Sequence, residues 1–240
     1  MSLAQKISVW NRKRKLDWFM SFVQPTDETT ILDCGFDEQE FSDRDNFLEK
    51  HYPYVNQITA LTIDTPEEYL YARKERNLEV PEAAILAKKQ ESAARYPQLK
   101  VVSYDGSIFP FFNQSFDVCW SNAVLEHVGD EEQQILFLKE IKRVGKVAFV
   151  TTPNKYFPVE MHTLTPLLHF LPKKVFDHYL RLIGKTWATG DYMRLLSFRD
   201  IQRLLHATGI TEYKIIKNRL LFFVLDFVIV FRTSDNQQRE

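Results

Sequence analysis

The chain has 240 residues, 45% of them hydrophobic and 14% aromatic, which suits one α/β domain with a full core and argues against disorder. Thirty-one basic residues nearly balance thirty-two acidic ones, so no global charge marks a nucleic-acid partner. The two cysteines, Cys34 and Cys119, stand far apart with no further soft ligand nearby, which excludes a zinc ribbon and a disulfide scaffold and fits a reducing, cytoplasmic setting.

Residues 1 to about 28 read as a helical extension. Its first ten residues lack an apolar run of the signal-peptide kind. Lys6, Arg12, Lys13, Arg14 and Lys15 precede the first carboxylate, Asp17, and are expected on a solvated helix face, with phosphate contact as the alternative. Beyond this extension short β-rich runs alternate with helical stretches, the pattern of a parallel sheet covered by helices. Strands are predicted at Thr30 to Cys34, Gln57 to Ile63, Lys100 to Tyr104, Phe116 to Ser121 and Lys146 to Thr151.

Thr65-Pro66-Glu67-Glu68 has the composition of a helix start, and Pro81 is expected to split the helical stretch that runs on to Arg95. Asp130 with Gln133 predicts a capped helix through Arg143, and Ser197 to Thr208 predicts another, stopped by Gly209. Two closing strands, Glu212 to Lys217 and Phe222 to Arg232, are close enough to pair as an antiparallel hairpin. The most apolar run, Leu220 to Phe231, is interrupted by Asp226 and too short to span a bilayer, so the protein is read as soluble.

In open α/β sheets ligands bind beyond the carboxyl ends of the strands. Four predicted strand ends carry small or acidic groups: Asp33-Cys34-Gly35, Asp64, Asp105-Gly106 and Ser121-Asn122. A carboxylate ending the second strand can take both ribose hydroxyls of a nucleoside. Asp105 can accept the exocyclic amine of an adenine, and glycines at 35 and 106 permit close backbone approach. A nicotinamide dinucleotide would want Gly-x-Gly-x-x-Gly after the first strand. The chain instead reads Gly35-Phe36-Asp37-Glu38-Gln39-Glu40, whose carboxylates repel a phosphate but suit the positive sulfonium of S-adenosylmethionine.

The run Ser115-Phe116-Asp117-Val118-Cys119-Trp120-Ser121-Asn122-Ala123-Val124-Leu125-Glu126-His127-Val128 resembles the fourth-strand block of the small-molecule class I methyltransferases. Asp105-Gly106 with Pro110-Phe111 is similar to that family's third-strand signature, and Thr152-Pro153-Asn154-Lys155-Tyr156-Phe157-Pro158 resembles a bacterial subgroup often encoded among glycan and cell-envelope genes. The resemblance spans Thr30 to Arg232. It implies a Rossmann-like α/β fold: a seven-stranded, mostly parallel sheet, helices on both faces and a C-terminal antiparallel hairpin strand. It also implies S-adenosylmethionine as cofactor, lined by Gly35, Asp64, Asp105, Gly106 and Ser121, with Asp33 holding the first turn. The chain departs from the family in keeping only Gly35 where two or three glycines are usual.

His127, Glu160 and His162 are candidates for a general base, although the histidine at position 127 is usually a packing residue in the family. A metal site built on Glu160 and His162 would need a third ligand at suitable spacing, and the sequence offers only loosely placed ones, so no metal is expected. Cys34 and Cys119, on strands adjacent in the family's sheet order, read as buried small hydrophobes.

The whole chain is taken as one domain, with residues 155–195 as a lid over the acceptor. That segment is rich in aromatics and leucines and carries Arg181, Lys185 and Arg194, which fits a small-molecule, glycan or lipid-linked acceptor and peripheral membrane contact. The same residues also fit an amphipathic helix packed on the sheet or in a dimer interface. The expected activity is methyl transfer to that acceptor. Two other readings stay open: a non-catalytic methyltransferase-like scaffold, suggested by the reduced glycine turn, and an RNA methyltransferase using the basic N-terminus. Against the last, Thr152-Pro153-Asn154 lacks the Asn/Asp-Pro-Pro-Tyr/Phe motif of many base-methylating enzymes, and nucleic acid is not expected as a partner.

Overall fold

A computed structural model describes residues 3–38, 44–63, 87, 90–91, 93–190 and 193–233. Asp64, the Thr65 to Glu68 helix start and Pro81 lie outside the described residues. The sheet has seven strands: β1 (Ile31–Cys34), β2 (Ile58–Ile63), β3 (Lys100–Tyr104), β4 (Phe116–Asn122), β5 (Gly145–Pro153), β8 (Tyr213–Leu220) and β9 (Phe223–Arg232). Their order is β3-β2-β1-β4-β5-β9-β8. β1 to β5 pair in parallel, and β9 runs antiparallel to both β5 and β8. The predicted hairpin therefore closes one edge of the sheet.

β1 sits between β2 and β4, with Leu32 opposite Thr59 on one side and Cys119 on the other. All four of its residues are buried. That is why it reads as a short unbroken run rather than an alternating one. The strand order reverses here, so the carboxyl ends of β1 and β4 diverge to either side of a crevice.

Helices cover both faces. On one lie α3 (Glu131–Val144) and α5 (Phe198–Ala207), packing Phe137, Leu138, Ile141, Leu204 and Leu205 against Leu32, Cys119, Ala148 and Ile229. Both start as expected. Asp130 Oδ1 accepts from the backbone N–H groups of Glu132 and Gln133 while Gln133 Oε1 accepts from Asp130 N, and Ser197 and Asp200 reciprocate in the same way.

The other face is covered by α1 (Leu3–Val23) and the short α2 (Phe47–His51). Phe19 of α1 sits edge-on to Trp120 and Phe149, at 4.9 and 5.5 Å between ring centroids, and those two rings stack on each other at 5.1 Å.

The N-terminal basic run is not the solvated face expected of it. Ser8, Asn11, Lys15 and Phe19 recur at helical spacing and are all buried. Lys15 ends on Asp226 of β9, a counter-charge from the far end of the chain that local sequence cannot reveal. Lys6 and Lys13 do face outward, and the Arg14 guanidinium lies between the Trp10 and Trp18 rings.

After β5 the chain forms a small antiparallel pair, β6 (Val159–Glu160) and β7 (Thr165–Pro166), then α4 (Lys173–Leu182). The pair is too short to leave a period-2 signal in the sequence. α4 buries Phe176, Asp177 and Leu180 and leaves Val175 and Leu182 exposed.

Candidate functional site

Two of the predicted cofactor residues sit at the reversal of strand order. Gly35 follows β1 at φ +139°, in the region that favours glycine, and a Cβ there would overlap Val124 Cγ2. This glycine is needed for packing between the first turn and the fourth-strand block. Its N–H and that of Phe36 both donate to Leu61 O on β2. Phe36 is buried, edge-on to Tyr96, and Asp37 N donates to the Asn46 side chain, whose amide returns a bond to Asp37 O. Ser121 is fully buried near the end of β4, and its Oγ has no hydrogen-bond partner among the described residues. A buried hydroxyl without a partner costs free energy, so this atom is a natural point for a ligand to engage.

Asp105 and Gly106 end β3 in an exposed turn, where Asp105 Oδ1 accepts from Ser107 N and Oγ. Those bonds hold its carboxyl below the usual range. Asp33 lies elsewhere: it is buried in β1, with the buried Glu49 carboxyl of α2 close enough to act on it electrostatically. Burial and the Glu49 carboxyl push its pKa well above the ordinary value. It braces β1 against α2.

Cys34 and Cys119 are both free and buried on adjacent strands, and burial pushes the Cys34 thiol up, as suits a packing residue. In charge the residues present suit the sulfonium nucleoside: the Asp105 carboxyl just past β3 is held ionised and carboxylates follow Gly35, while Gly35 itself faces Val124 and Ser121 is fully buried.

The three candidate bases come together, His127 meeting the neighbouring pair of Glu160 and His162, the latter 35 residues away. His127 ends a one-turn 3-10 helix (Leu125–His127) after β4, and His162 follows β6. Their Nε2 atoms are 3.1 Å apart. His162 Nδ1 lies 2.8 Å from Glu160 Oε1, and Glu160 Oε2 accepts from both the N–H and the hydroxyl of Thr163. Burial works against ionisation of Glu160, but the His162 and Thr163 bonds outweigh it and hold the carboxyl at about 2. Burial likewise opposes charge on His162, yet Glu160 and Glu126 raise its pKa above the ordinary imidazole value.

Sequence reading missed Glu126 as a member of this group. Its side chain is 0% exposed, with Oε1 4.0 Å from His127 Nε2 and 3.9 Å from His162 Nε2. Oε2 accepts from Thr152 Oγ1 of β5. The signal was the position itself, inside the Leu125-Glu126-His127-Val128 run: a carboxylate beside a histidine just past a strand end. Glu126 stands with His127 and His162 as a third donor, while both Glu160 oxygens are taken by His162 and Thr163.

Next to this cluster lies a second polar network. Lys15 reaches Thr151 Oγ1 and Asp226, Thr151 donates to Asn122 Oδ1 at the end of β4, and Asn11 and Asn218 both donate to the Asp226 carboxylate.

A cavity of about 950 Å³ opens between the start of α3 and residues 155–195. Cations (Lys155, Lys173, Arg194) and aromatics (Tyr156, Phe170, Phe176) line it. Arg194 N donates to Glu126 O at 2.7 Å, which ties its wall to the histidine cluster.

This sheet order and these strand ends define the class I methyltransferase fold. Residues 58–148, from β2 into β5, match the family model of a methyltransferase domain. Among solved structures, the chain is similar to the DszA carbon methyltransferase (TM-score 0.54, 17% identity, 95% of this chain and 54% of that one). It is similar also to the CurJ carbon methyltransferase (0.52, 15%, 93% and 54%). A third is a candidate O-methyltransferase of Nostoc punctiforme (0.51, 14%, 95% and 58%). The chain thus spans a little over half the length of each. No curated protein matches it by sequence. The resemblance carried by the fourth-strand block and the predicted fold class are borne out, and the matches support S-adenosylmethionine as the cofactor.

Proposed function

We propose that the protein transfers the methyl group of S-adenosylmethionine to an amphipathic, anionic acceptor held under residues 155–195. The observation that carries this reading is the cluster of Glu126, His127, Glu160 and His162, hung from the ends of β4 and β5. It lies beside the strand ends at which this fold takes a nucleoside. Gly35, Asp105, Gly106 and Ser121 are the described residues assigned to the cofactor side, and Asp64, next in sequence after β2, is assigned with them. The cofactor supplies an electrophilic methyl group. Transfer of that group to the acceptor atom would leave the cofactor as its neutral thioether. A hydroxyl or amine acceptor gives up a proton, which the imidazole–carboxylate cluster accommodates. The chain's remaining contribution is alignment and exclusion of water.

The cavity supports the acceptor class: Lys155 and Arg194 for an anionic group, beside a Lys173 already paired with Asp177 and a second carboxylate at Asp130, aromatic walls for an apolar one, and a volume in the range of small-ligand sites. Leu164, Leu167 and Leu182 and the hairpin tip Leu221-Phe222 are exposed, as are Lys173, Lys174 and Arg181. That combination suits peripheral contact with an anionic lipid surface and a lipid-linked acceptor. No helix among the described residues is long and apolar enough to cross a membrane. An RNA acceptor is disfavoured by the inward turn of Lys15, which spends its charge on Asp226. The scaffold reading draws on the single glycine of the first turn.

The test is transfer of a radiolabelled methyl group from S-adenosylmethionine into cell extract divided into organic-phase and aqueous fractions. Label is expected in the organic-phase acceptors, falling with Lys155→Glu and Arg194→Glu. No label above background in either fraction would count against the activity, and label confined to RNA would overturn the acceptor class.

A further inference from the structure

The geometry points to a binding site for a divalent metal ion of the zinc class, formed by Glu126 Oε1, His127 Nε2 and His162 Nε2. The three atoms lie within 4.8 Å of one another. Around a tetrahedral ion with metal–nitrogen bonds of about 2.0–2.1 Å, neighbouring ligand atoms stand about 3.3 Å apart. The two imidazole nitrogens, at 3.1 Å, already hold close to that spacing, and a small rotation of Glu126 brings its oxygen in.

Two independent features support a cation here rather than a chance meeting of side chains. Glu126 Oε1 is fully buried, has no hydrogen-bond partner among the described residues, and faces both imidazoles. An anionic oxygen removed from water with no donor is costly, and a coordinated cation satisfies it. The second feature is the support behind His162. Its Nδ1–H donates to Glu160, whose other oxygen is fixed by two bonds from Thr163. This leaves the Nε2 lone pair aimed at the cluster, the carboxylate–histidine–metal arrangement that outer-shell partners enforce.

Charge agrees as well. Glu126 and Glu160 supply two acidic groups for a dication, with Lys15 matched by Asp226 and Arg12 the other cation that acts on His162. Two nitrogen donors and one oxygen suit zinc better than magnesium or calcium. The His127 and His162 side chains remain 26% and 21% exposed, which leaves a fourth position reachable from outside. The competing explanation is a proton: His162 as an imidazolium bridging Glu160 and His127.

In the proposed reaction such an ion would bind the acceptor's oxygen and ease loss of its proton. This consequence rests on the methyl-transfer reading, whereas metal binding does not. The experiment uses the full chain, stripped with a chelator and titrated with Zn²⁺ alone by calorimetry, then with Co²⁺ followed by its visible absorption. One equivalent of Zn²⁺, a higher Tm in its presence and the absorption of four-coordinate Co²⁺ are expected. Glu160→Gln should weaken Zn²⁺ binding by about 10–100-fold. Glu126→Gln and His162→Gln should weaken it further, each checked for native circular dichroism.

Failure of the wild-type chain to bind one equivalent, or binding unchanged in Glu126→Gln and His162→Gln, would overturn the inference and leave the imidazolium bridge only. A chain that binds S-adenosylmethionine but no metal would defeat this inference alone. One that binds metal but neither S-adenosylmethionine nor S-adenosylhomocysteine would defeat the methyl-transfer reading alone.

Discussion

Lys15 Nζ lies 3.3 Å from Asp226 Oδ2, with the two side chains only 5% and 6% exposed, so one ion pair fastens the N-terminal helix to the last strand of the sheet. Asn11 and Asn218 complete the shell around the Asp226 carboxylate. Burial pulls the Lys15 pKa down and Asp226 pulls it back up. Removing one partner strands the other charge away from water. Lys15→Ala is therefore expected to destabilise the protein by about 3–5 kcal/mol, far more than a surface lysine would. Denaturant unfolding checks this. A loss under about 1 kcal/mol, the range of an exposed pair, would show that α1 is held by Phe19 and Leu16 alone.

Asp33 offers a test by pH. Its folded-state pKa is raised, by burial first and then by Glu49, so the native state favours the protonated carboxyl. The stability this gives is fully present below the unfolded-state pKa and is lost as pH rises through the folded one. Asp33→Asn keeps the side chain's size and does not ionise. Relative to wild type its Tm should rise between pH 5 and pH 8, with the difference shrinking toward pH 4. A variant that loses as much stability at pH 8 as at pH 4 would refute the sign.

Gly35 is constrained twice, by its φ of +139° and by Val124 above it. Gly35→Ala should cost about 1–3 kcal/mol from the backbone region, with an overlap cost in addition. Combining it with Val124→Ala relieves the overlap but not the backbone. The double variant is thus expected to fall short of additive destabilisation without returning to wild-type stability. Strict additivity in thermal unfolding would mean that the two residues do not meet.

Much of this was legible in the sequence because it depends on local signals. The capping pairs Asp130–Gln133 and Ser197–Asp200, the strand ends at Gly35, Asp105 and Ser121, and the closing hairpin all announce themselves within a few residues. What stayed hidden depends on long-range meetings. Lys15 looked solvated because its counter-charge is on β9. Glu126 stood out only as part of the fourth-strand block because Thr152 and His162 approach it from β5 and the loop beyond. Asp33 looked like a turn residue because Glu49 belongs to a helix of five residues, too short to predict. The β6–β7 pair, two residues per strand, has no periodicity to read. His127 and His162 could be named one at a time from sequence, but only the fold shows that they share a site.

The central claim is that these strand ends hold S-adenosylmethionine. Calorimetric titration of the purified chain with S-adenosylmethionine and S-adenosylhomocysteine, repeated with Asp64→Ala, tests it most directly. Saturable binding of both compounds by the wild type, lost or greatly weakened in the variant, is the predicted result. A wild-type chain that stays folded and binds neither compound would contradict the claim and leave the scaffold reading in its place.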